Sequence, residues 1–140
     1  MAQEPELVIR CFGTFQVRRR GQELRDGEWQ SARARYLFAY LLHTPEGALK
    51  DQLLEAMYPE GTDSFGPLDT SLTRIRKALE PELDKGQASR YLLRASGRYS
   101  FNRQVPFELD TLRFEEAVRK MRSRQGPDAC TYAREALDIY

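Results

Sequence analysis

The stretch from Asp69 to Pro81 reads DTSLTRIRKALEP and decides the fold. Leucine and isoleucine recur in it at helical spacing, and threonine, arginine and lysine fill the gaps. On a helix that turns about 100° per residue, the apolar side chains fall within one narrow sector. They are Leu68, Leu72, Ile75 and Leu79. The opposite sector carries basic and hydroxyl side chains, so the pattern predicts a helix over residues 67–80 with one buried and one positively charged face.

Regular elements are predicted on both sides of this helix. β-rich runs separated by Gly-containing turns predict strands, and a 3.6-residue apolar period after Ser31, which can act as N-cap, predicts helices. Before residue 67 these elements cover residues 7–12, 15–19, 22–24, 32–43 and the short helix in KDQLLEAMYPEG, 50–61. After Pro81, residues 91–94 and 99–101 form a hairpin with its tip at residues 95–98. Strands, three helices and a hairpin, in that order, make a winged helix-turn-helix.

The pattern becomes helical again after Val105 and Pro106, with Asp110 as the expected cap. Two antiparallel helices with small residues at their crossing are typical of one tetratricopeptide-type unit, which cannot bury its face alone. We expect the apolar seam between them to consist of Phe114, Val118, Ala133 and Leu137.

The fold class is therefore expected to be α+β. It comprises a winged helix-turn-helix with an N-terminal antiparallel sheet, three helices and a C-terminal β-hairpin wing, plus an appended helical pair. The corresponding domains are a winged-helix domain over residues 1–103 and a TPR-like helical pair over residues 104–140.

Charge is distributed unevenly, although the 140 residues carry a net charge of only +1. Residues 67–103 hold eight Lys/Arg and four Asp/Glu, and residues 7–35 hold seven Arg and three Asp/Glu, so each segment has a net charge of +4. Residues 36–66 hold one Lys and five Asp/Glu, a net charge of −4. Positive charge thus surrounds the helix over 67–80, which favours a negatively charged partner.

The polar face of that helix is suited to the major groove of DNA. Arginine can bond two guanine acceptors at once, and threonine offers a hydroxyl and a methyl group. The predicted base-contacting residues are Thr70, Thr73, Arg74 and Lys77. The predicted backbone-contacting residues are Ser71 and Arg76 on the helix and Arg94 and Arg98 in the hairpin over residues 91–101, which would reach the adjacent minor groove or backbone. Two alternatives remain: a solvated basic helix face, and a winged helix that binds another protein and not DNA.

Other function classes find little support. The sequence has no Gly-rich phosphate loop, no nucleophile elbow and no cysteine or histidine cluster at metal-ligand spacing, so we expect no enzyme activity, no cofactor and no metal. Cys11 and Cys130 are expected to be buried or half-buried thiols in a reducing cytoplasm, and His43 to lie near a helix end. No apolar run is long enough to span a membrane and the N-terminus is not a signal peptide, so a cytoplasmic location is expected.

The chain resembles OmpR/PhoB-type winged-helix domains. The similarity to their recognition helix and wing lies in GPLDTSLTRIRKALEP and LLRASGRYSFN, and the meander LVIRCFGTFQVRRRGQEL matches the extra sheet of that family. A closer similarity, to the SARP-type (antibiotic regulatory protein) group, lies in CFGTFQV, GQEL, ARYLFAYLL, LLEAMYPE and LDTLRFEEAV followed by AREALDIY. In that group the winged helix precedes a helical bacterial transcriptional activator domain.

This resemblance implies a transcriptional activator that binds double-stranded DNA, at direct repeats near promoters, and contacts RNA polymerase. The contact would lie in the loop over residues 59–66, where Glu60 and Asp63 are acidic, and a homodimer on the DNA stays open. The family's base-reading and phosphate-contacting arginines would correspond to Arg74 and Arg76. Thr70, Ser71 and Thr73 stand where many relatives carry more basic residues or histidine, so base preference does not transfer. The helical domain is also shorter than is usual for the family, which suggests a fragment of a longer regulator or a shortened relative.

Overall fold

A computed structural model describes residues 4–61, 65–84, 86–124 and 126–140. The chain divides into two compact units. One comprises Met1–Glu23 together with Pro106–Tyr140, and the other comprises Leu24–Val105. We call the first the terminal unit and the second the central unit.

Four helices belong to the central unit: α1 Asp26–Trp29, α2 Ala32–Leu42, α3 Lys50–Met57 and α4 Gly66–Leu79. The sequence predicts the last three, and Ser31 caps α2 as expected, its hydroxyl accepting a hydrogen bond from the Ala34 backbone N–H at 3.0 Å. Pro67 lies in the first turn of α4, where its missing N–H costs nothing. The four-residue α1 is not predicted, because one helical turn is too short to show a period.

A three-stranded antiparallel sheet completes the central unit, with β4 Ala48–Leu49, β5 Leu92–Ala95 and β6 Arg98–Phe101 in the order β4-β6-β5. Strands β5 and β6 form the predicted hairpin. Its turn residues Ser96 and Gly97 have φ of 53° and 75°, the positive values that a two-residue type I′ turn requires. Gly47 precedes β4 with φ of 76°, and an added Cβ there would lie 2.9 Å from the Tyr99 carbonyl oxygen, so only glycine fits this approach.

The core of the central unit is built on an aromatic chain. The ring of Phe38 lies 5.5 Å from that of Trp29 and 5.9 Å from that of Phe101. All three side chains are buried, and they join α1, α2 and β6. Aliphatic side chains fill the space around them: Leu37, Leu41, Leu42, Leu53, Leu68, Ile75 and Leu79. Helix α4 thus contributes its apolar stripe to this core, as its sequence predicts.

The terminal unit contains a four-stranded sheet in the order β3-β2-β1-β7. Its strands are β1 Leu7–Arg10, β2 Gln16–Arg19, β3 Gln22–Glu23 and β7 Phe107–Leu109. The first three form the predicted antiparallel meander, whereas β7 pairs with β1 in parallel. A strand of three residues shows no alternation in sequence, so β7 is not predicted.

Helices α5 Asp110–Ser123 and α6 Pro127–Ile139 follow as an antiparallel pair in the same unit. The residues buried most deeply in this pair are Ala117 and Ala136, in keeping with the small residues expected at the crossing, and the expected seam residues Phe114, Val118 and Ala133 are half-buried. Leu137, expected in the seam, is 73% exposed. Phe114 instead packs against the rings of Phe12 and Tyr140, at 5.4 and 5.9 Å.

Asp110 has a different role from the predicted helix cap. It is the first residue of α5, after the N-cap Leu109, and its carboxylate accepts hydrogen bonds from the backbone N–H groups of Cys11 and Phe12 at 2.9–3.0 Å. The side chain therefore ties α5 to the end of β1. Burial, and then the charge of Asp110, raises the pKa of Cys11 to about 11, so this thiol is protonated at neutral pH.

The compact units do not follow the predicted boundary between residues 103 and 104. Pairing of β7 with β1 groups the first strands with α5 and α6, because ladder hydrogen bonds join segments about 100 residues apart. The division into a winged-helix domain and a TPR-like pair rests on the family resemblance and stays a proposal. The two compact units are defined by the contacts within this structure.

Candidate nucleic-acid interface

The helix predicted to contact DNA presents the expected face. Thr70, Thr73 and Lys77 are exposed, and Arg74 and Arg76 are partly exposed. They lie on α4 away from the buried Leu68, Leu72, Ile75 and Leu79. The hydroxyl of Thr70 donates a hydrogen bond to the Gly66 carbonyl oxygen at 3.0 Å, which leaves the hydroxyl oxygen free to accept a further hydrogen bond.

Ser71 departs from the prediction. Its side chain is only 3% exposed, because position 71 turns into the stripe between Leu68 and Ile75. A hydroxyl in this position cannot reach a phosphate without disturbing the helix packing. We therefore leave Ser71 out of the proposed DNA contacts. The other predicted residues of α4 stay among those contacts.

The first turn of α4 is held by a basic side chain from α3. Lys50 Nζ lies 2.9 Å from Asp69 Oδ1 and 5.4 Å from the centre of the Phe65 ring. Lys50 is partly buried and follows β4 directly. The ion pair neutralises the acidic side chain on the flank of the basic face, which reduces its repulsion of phosphates.

The hairpin carries the two predicted arginines on neighbouring strands. Arg94 lies opposite Tyr99 in the ladder, and its guanidinium carbon is 5.3 Å from the centre of that ring. Tyr99 is buried, so the contact holds Arg94 along the hairpin surface. Arg98 begins β6 directly after the turn and is exposed. Both side chains are therefore accessible to a partner of the wing.

Behind the last turn of α4, a buried acid connects the helix to the hairpin. Glu80 is 6% exposed, and its carboxylate accepts hydrogen bonds from the Ser89 hydroxyl and from the Arg90 backbone N–H, the latter at 3.0 Å. Its own backbone N–H closes the helix on the Arg76 carbonyl oxygen at 2.7 Å. One residue thus ends α4 and fixes the segment that enters β5.

The loop predicted to contact RNA polymerase is described only in part. Asp63 lies outside the described residues. Glu60 is exposed, and its carboxylate lies 4.0 Å from an Arg33 guanidinium nitrogen. The Arg33 guanidinium carbon also lies 4.2 Å above the Tyr58 ring. These contacts connect the start of the loop to α2.

Two residues of this interface escape sequence reasoning, namely Lys50 and Glu80. Lys50 meets Asp69 across 19 positions of sequence, and no local pattern links them. Glu80 precedes Pro81, so the segment looks like a simple helix end. The only available signal is an acid at the end of a helix, where it opposes the dipole and therefore needs other partners.

Metal-ligating side chains do not cluster in the part of the chain that the structure describes. In residues 4–61, 65–84, 86–124 and 126–140, no three His, Cys, Asp or Glu side chains come together as metal ligands. The Cys11 and Cys130 thiols are both free; Cys11 is half-buried as expected, but Cys130 is exposed. His43 Nδ1 lies 2.7 Å from the Ala39 carbonyl oxygen at the end of α2. Within the same ranges, no helix has both the length and the apolar character needed to cross a membrane.

Comparison with solved structures identifies the fold. EmbR of Mycobacterium tuberculosis, solved in complex with a low-affinity phosphopeptide, superposes with a TM-score of 0.71 at 19% identity, over 98% of this chain and 36% of EmbR. The DNA-binding domain of E. coli CadC superposes with a TM-score of 0.51 at 19% identity, over 75% of this chain and 96% of that domain. The chain thus spans about a third of EmbR. No protein-family model and no curated protein sequence matches it. The α+β winged-helix fold is confirmed.

Proposed function

We propose that the protein is a sequence-specific DNA-binding regulator of transcription. The observation that carries this proposal is the basic face of α4. The apolar stripe of the same helix packs in the core, and Glu80 connects the helix to a hairpin with two exposed arginines. A helix in the major groove and a hairpin on the adjacent minor groove or backbone use both elements. The fold shared with the DNA-binding domain of CadC supports the same function.

Roles on the interface follow from side-chain chemistry. Arg74 is the proposed main base reader, since its guanidinium can donate two hydrogen bonds to guanine, with Thr70, Thr73 and Lys77 beside it. Arg76, Arg94 and Arg98 are proposed to neutralise phosphates, which gives affinity and position without reading sequence. The activity requires no cofactor and no catalytic group.

Finer features rest on the family resemblance and are proposals as well. The protein would activate transcription from direct repeats near promoters, and the loop over residues 59–66 would contact RNA polymerase. It would act in the cytoplasm, alone or as a homodimer on the DNA. Helices α5 and α6 would be a TPR-like unit that begins an activator domain.

The wing is expected to contribute affinity without sequence preference. Replacing Arg98 by alanine should lower affinity for all duplexes alike and reduce the slope of log K against log salt concentration by about one unit, because one fewer counterion is released. Fluorescence anisotropy with a selected and a scrambled duplex at several salt concentrations measures both. The control is Arg119→Ala, an exposed arginine of the terminal unit on α5. An unchanged salt slope in Arg98→Ala would remove this arginine from the DNA contacts.

The loop is expected to affect activation more than binding. Glu60→Ala should lower transcription from a target promoter while promoter occupancy stays constant, because the proposed partner of this exposed acid is the polymerase. Transcription and footprinting should be measured on the same samples. Arg33→Ala serves as the control for the ion pair, since it frees Glu60 without removing its charge. Equal losses of occupancy and transcription in Glu60→Ala would contradict the activation role.

A further inference from the structure

Glu80 makes an unusual connection for a residue at the end of a surface helix. Carboxylates are rarely buried unless hydrogen-bond donors compensate for the lost water. Here both carboxylate oxygens accept from the Arg90 N–H, at 3.0 and 3.2 Å, and one also accepts from the Ser89 hydroxyl. Hydrogen bonds to a charged acceptor are roughly twice as strong as those between neutral groups. The acid therefore fixes the segment just before β5.

The connection continues into both strands of the hairpin. Ser89 Oγ accepts from the backbone N–H groups of Tyr91 and Leu92, at 3.3 and 3.1 Å. The Asn102 side chain donates a hydrogen bond to the Arg90 carbonyl oxygen at 2.9 Å. The Asn102 backbone N–H donates a hydrogen bond to the Tyr91 carbonyl oxygen at 2.8 Å. An unbroken set of hydrogen bonds thus runs from the end of α4 to the start of β5 and the end of β6.

We infer that Glu80 is a positioning residue that fixes the wing relative to α4, so that Arg74 and Arg98 engage one DNA site together. This inference rests on the proposed DNA-binding function. Two contacts on a rigid body bind more tightly than the same contacts on mobile parts, because ordering has been completed before binding. Lys50, the first residue of α3 and next to β4, makes a second connection to α4 through Asp69, but that pair is more exposed and hence weaker.

The first test uses the sign of a charge effect. Glu80→Gln removes a negative charge, which by electrostatics alone would strengthen binding to any DNA. Positioning predicts the opposite: affinity for a duplex selected by the wild-type protein should fall roughly tenfold, since the substitution weakens hydrogen bonds to a charged group. Asp84→Asn is the matched control, with the same loss of charge at an exposed position in the same loop, and should bind as tightly as wild type or more so.

The second test asks whether Glu80 acts through the wing. In an Arg98→Ala background, Glu80→Gln should cost much less than its tenfold effect in the wild type, because the contact it positions is already gone. A residue that only stabilised the fold would give the same loss in both backgrounds. Additive losses, or tighter binding by Glu80→Gln, would overturn the inference.

Hydrogen exchange of the free protein separates this inference from the proposed function. In Glu80→Gln and Ser89→Ala, the amides of Arg90, Tyr91 and Leu92 should exchange at least tenfold faster, while those in the middle of α2 keep their rates. If Glu80→Gln does not fold, Ser89→Ala takes its place in both binding tests. If the wild type binds no duplex, the proposed function fails, and the exchange result alone decides whether Glu80 fixes the hairpin. Unchanged rates, or equal acceleration everywhere, would contradict it.

Discussion

Replacing Phe38 by alanine is expected to lower the free energy of unfolding of the central unit by about 3–5 kcal/mol. The side chain is fully buried, and its ring contacts those of Trp29 and Phe101 at 5.5 and 5.9 Å. Its removal leaves a cavity between α1, α2 and β6. The neighbouring rings of Trp29 and Phe101 cannot both move to fill that cavity. Since natural domains are stable by about 5–15 kcal/mol, this loss removes a large part of the total.

Urea unfolding followed by tryptophan fluorescence measures this loss, because Trp29 is the single tryptophan and lies against Phe38. Tyr36→Ala is the control on the same helix, where the side chain is 58% exposed, and should change stability by less than about 0.5 kcal/mol. Phe38→Leu, which keeps more of the volume, should fall between the two. Equal effects of Phe38→Ala and Tyr36→Ala would show that the aromatic chain is not the core.

The second large effect is expected at Arg74. Arg74→Ala should weaken binding to a selected duplex by about 1–3 kcal/mol and relax the preference at one base position, because a bidentate contact with guanine discriminates by that amount. Binding to a scrambled duplex should change far less. Competition gel-shift assays against duplexes with single-base changes measure both quantities.

Arg74→Lys separates charge from geometry at this position. Lysine retains the positive charge but lacks the planar fork of donors, so affinity should recover in part while base preference stays relaxed. If Arg74→Lys restores the full preference, the side chain contacts a phosphate and not a base. If Arg74→Ala keeps both affinity and preference, Arg74 does not read the site.

The sequence predicts the central unit well where local patterns carry the information. The apolar stripe of α4 and the cap at Ser31 follow from helical geometry and appear as predicted. The hairpin over residues 92–101 follows from β-rich runs around a turn with glycine. Each of these depends on residues within a window of about a dozen positions, and local pattern reasoning is most reliable at such separations.

Features that depend on distant residues are missed or misread. Pairing of β7 with β1 joins residues about 100 positions apart, and a strand of three residues is too short to show an alternating pattern in the sequence. The carboxylate of Asp110 looks like a helix cap, but it binds backbone N–H groups beyond β1. Position 71 lies near the edge of the buried sector of α4, so the sequence predicts that Ser71 is on the surface. In the structure the packing buries its side chain.

The candidate interface shows the same division. The exposed positions of Thr70, Thr73 and Lys77 and the partly exposed position of Arg74 follow from the helical wheel. The connections through Lys50 and Glu80 appear only in three dimensions. What these side chains bind is a question of chemistry that the fold alone does not answer.

Selection from a library of random duplexes tests the central claim most directly. The wild-type protein should enrich one sequence motif over several rounds, and binding to the enriched duplex should weaken steeply between about 50 and 200 mM salt, as phosphate contacts require. Footprinting of that duplex should show protection in a major groove and in the minor groove beside it. If no motif is enriched, and binding to duplex DNA is absent or independent of salt, the protein is not a DNA-binding regulator and its winged helix serves a protein partner.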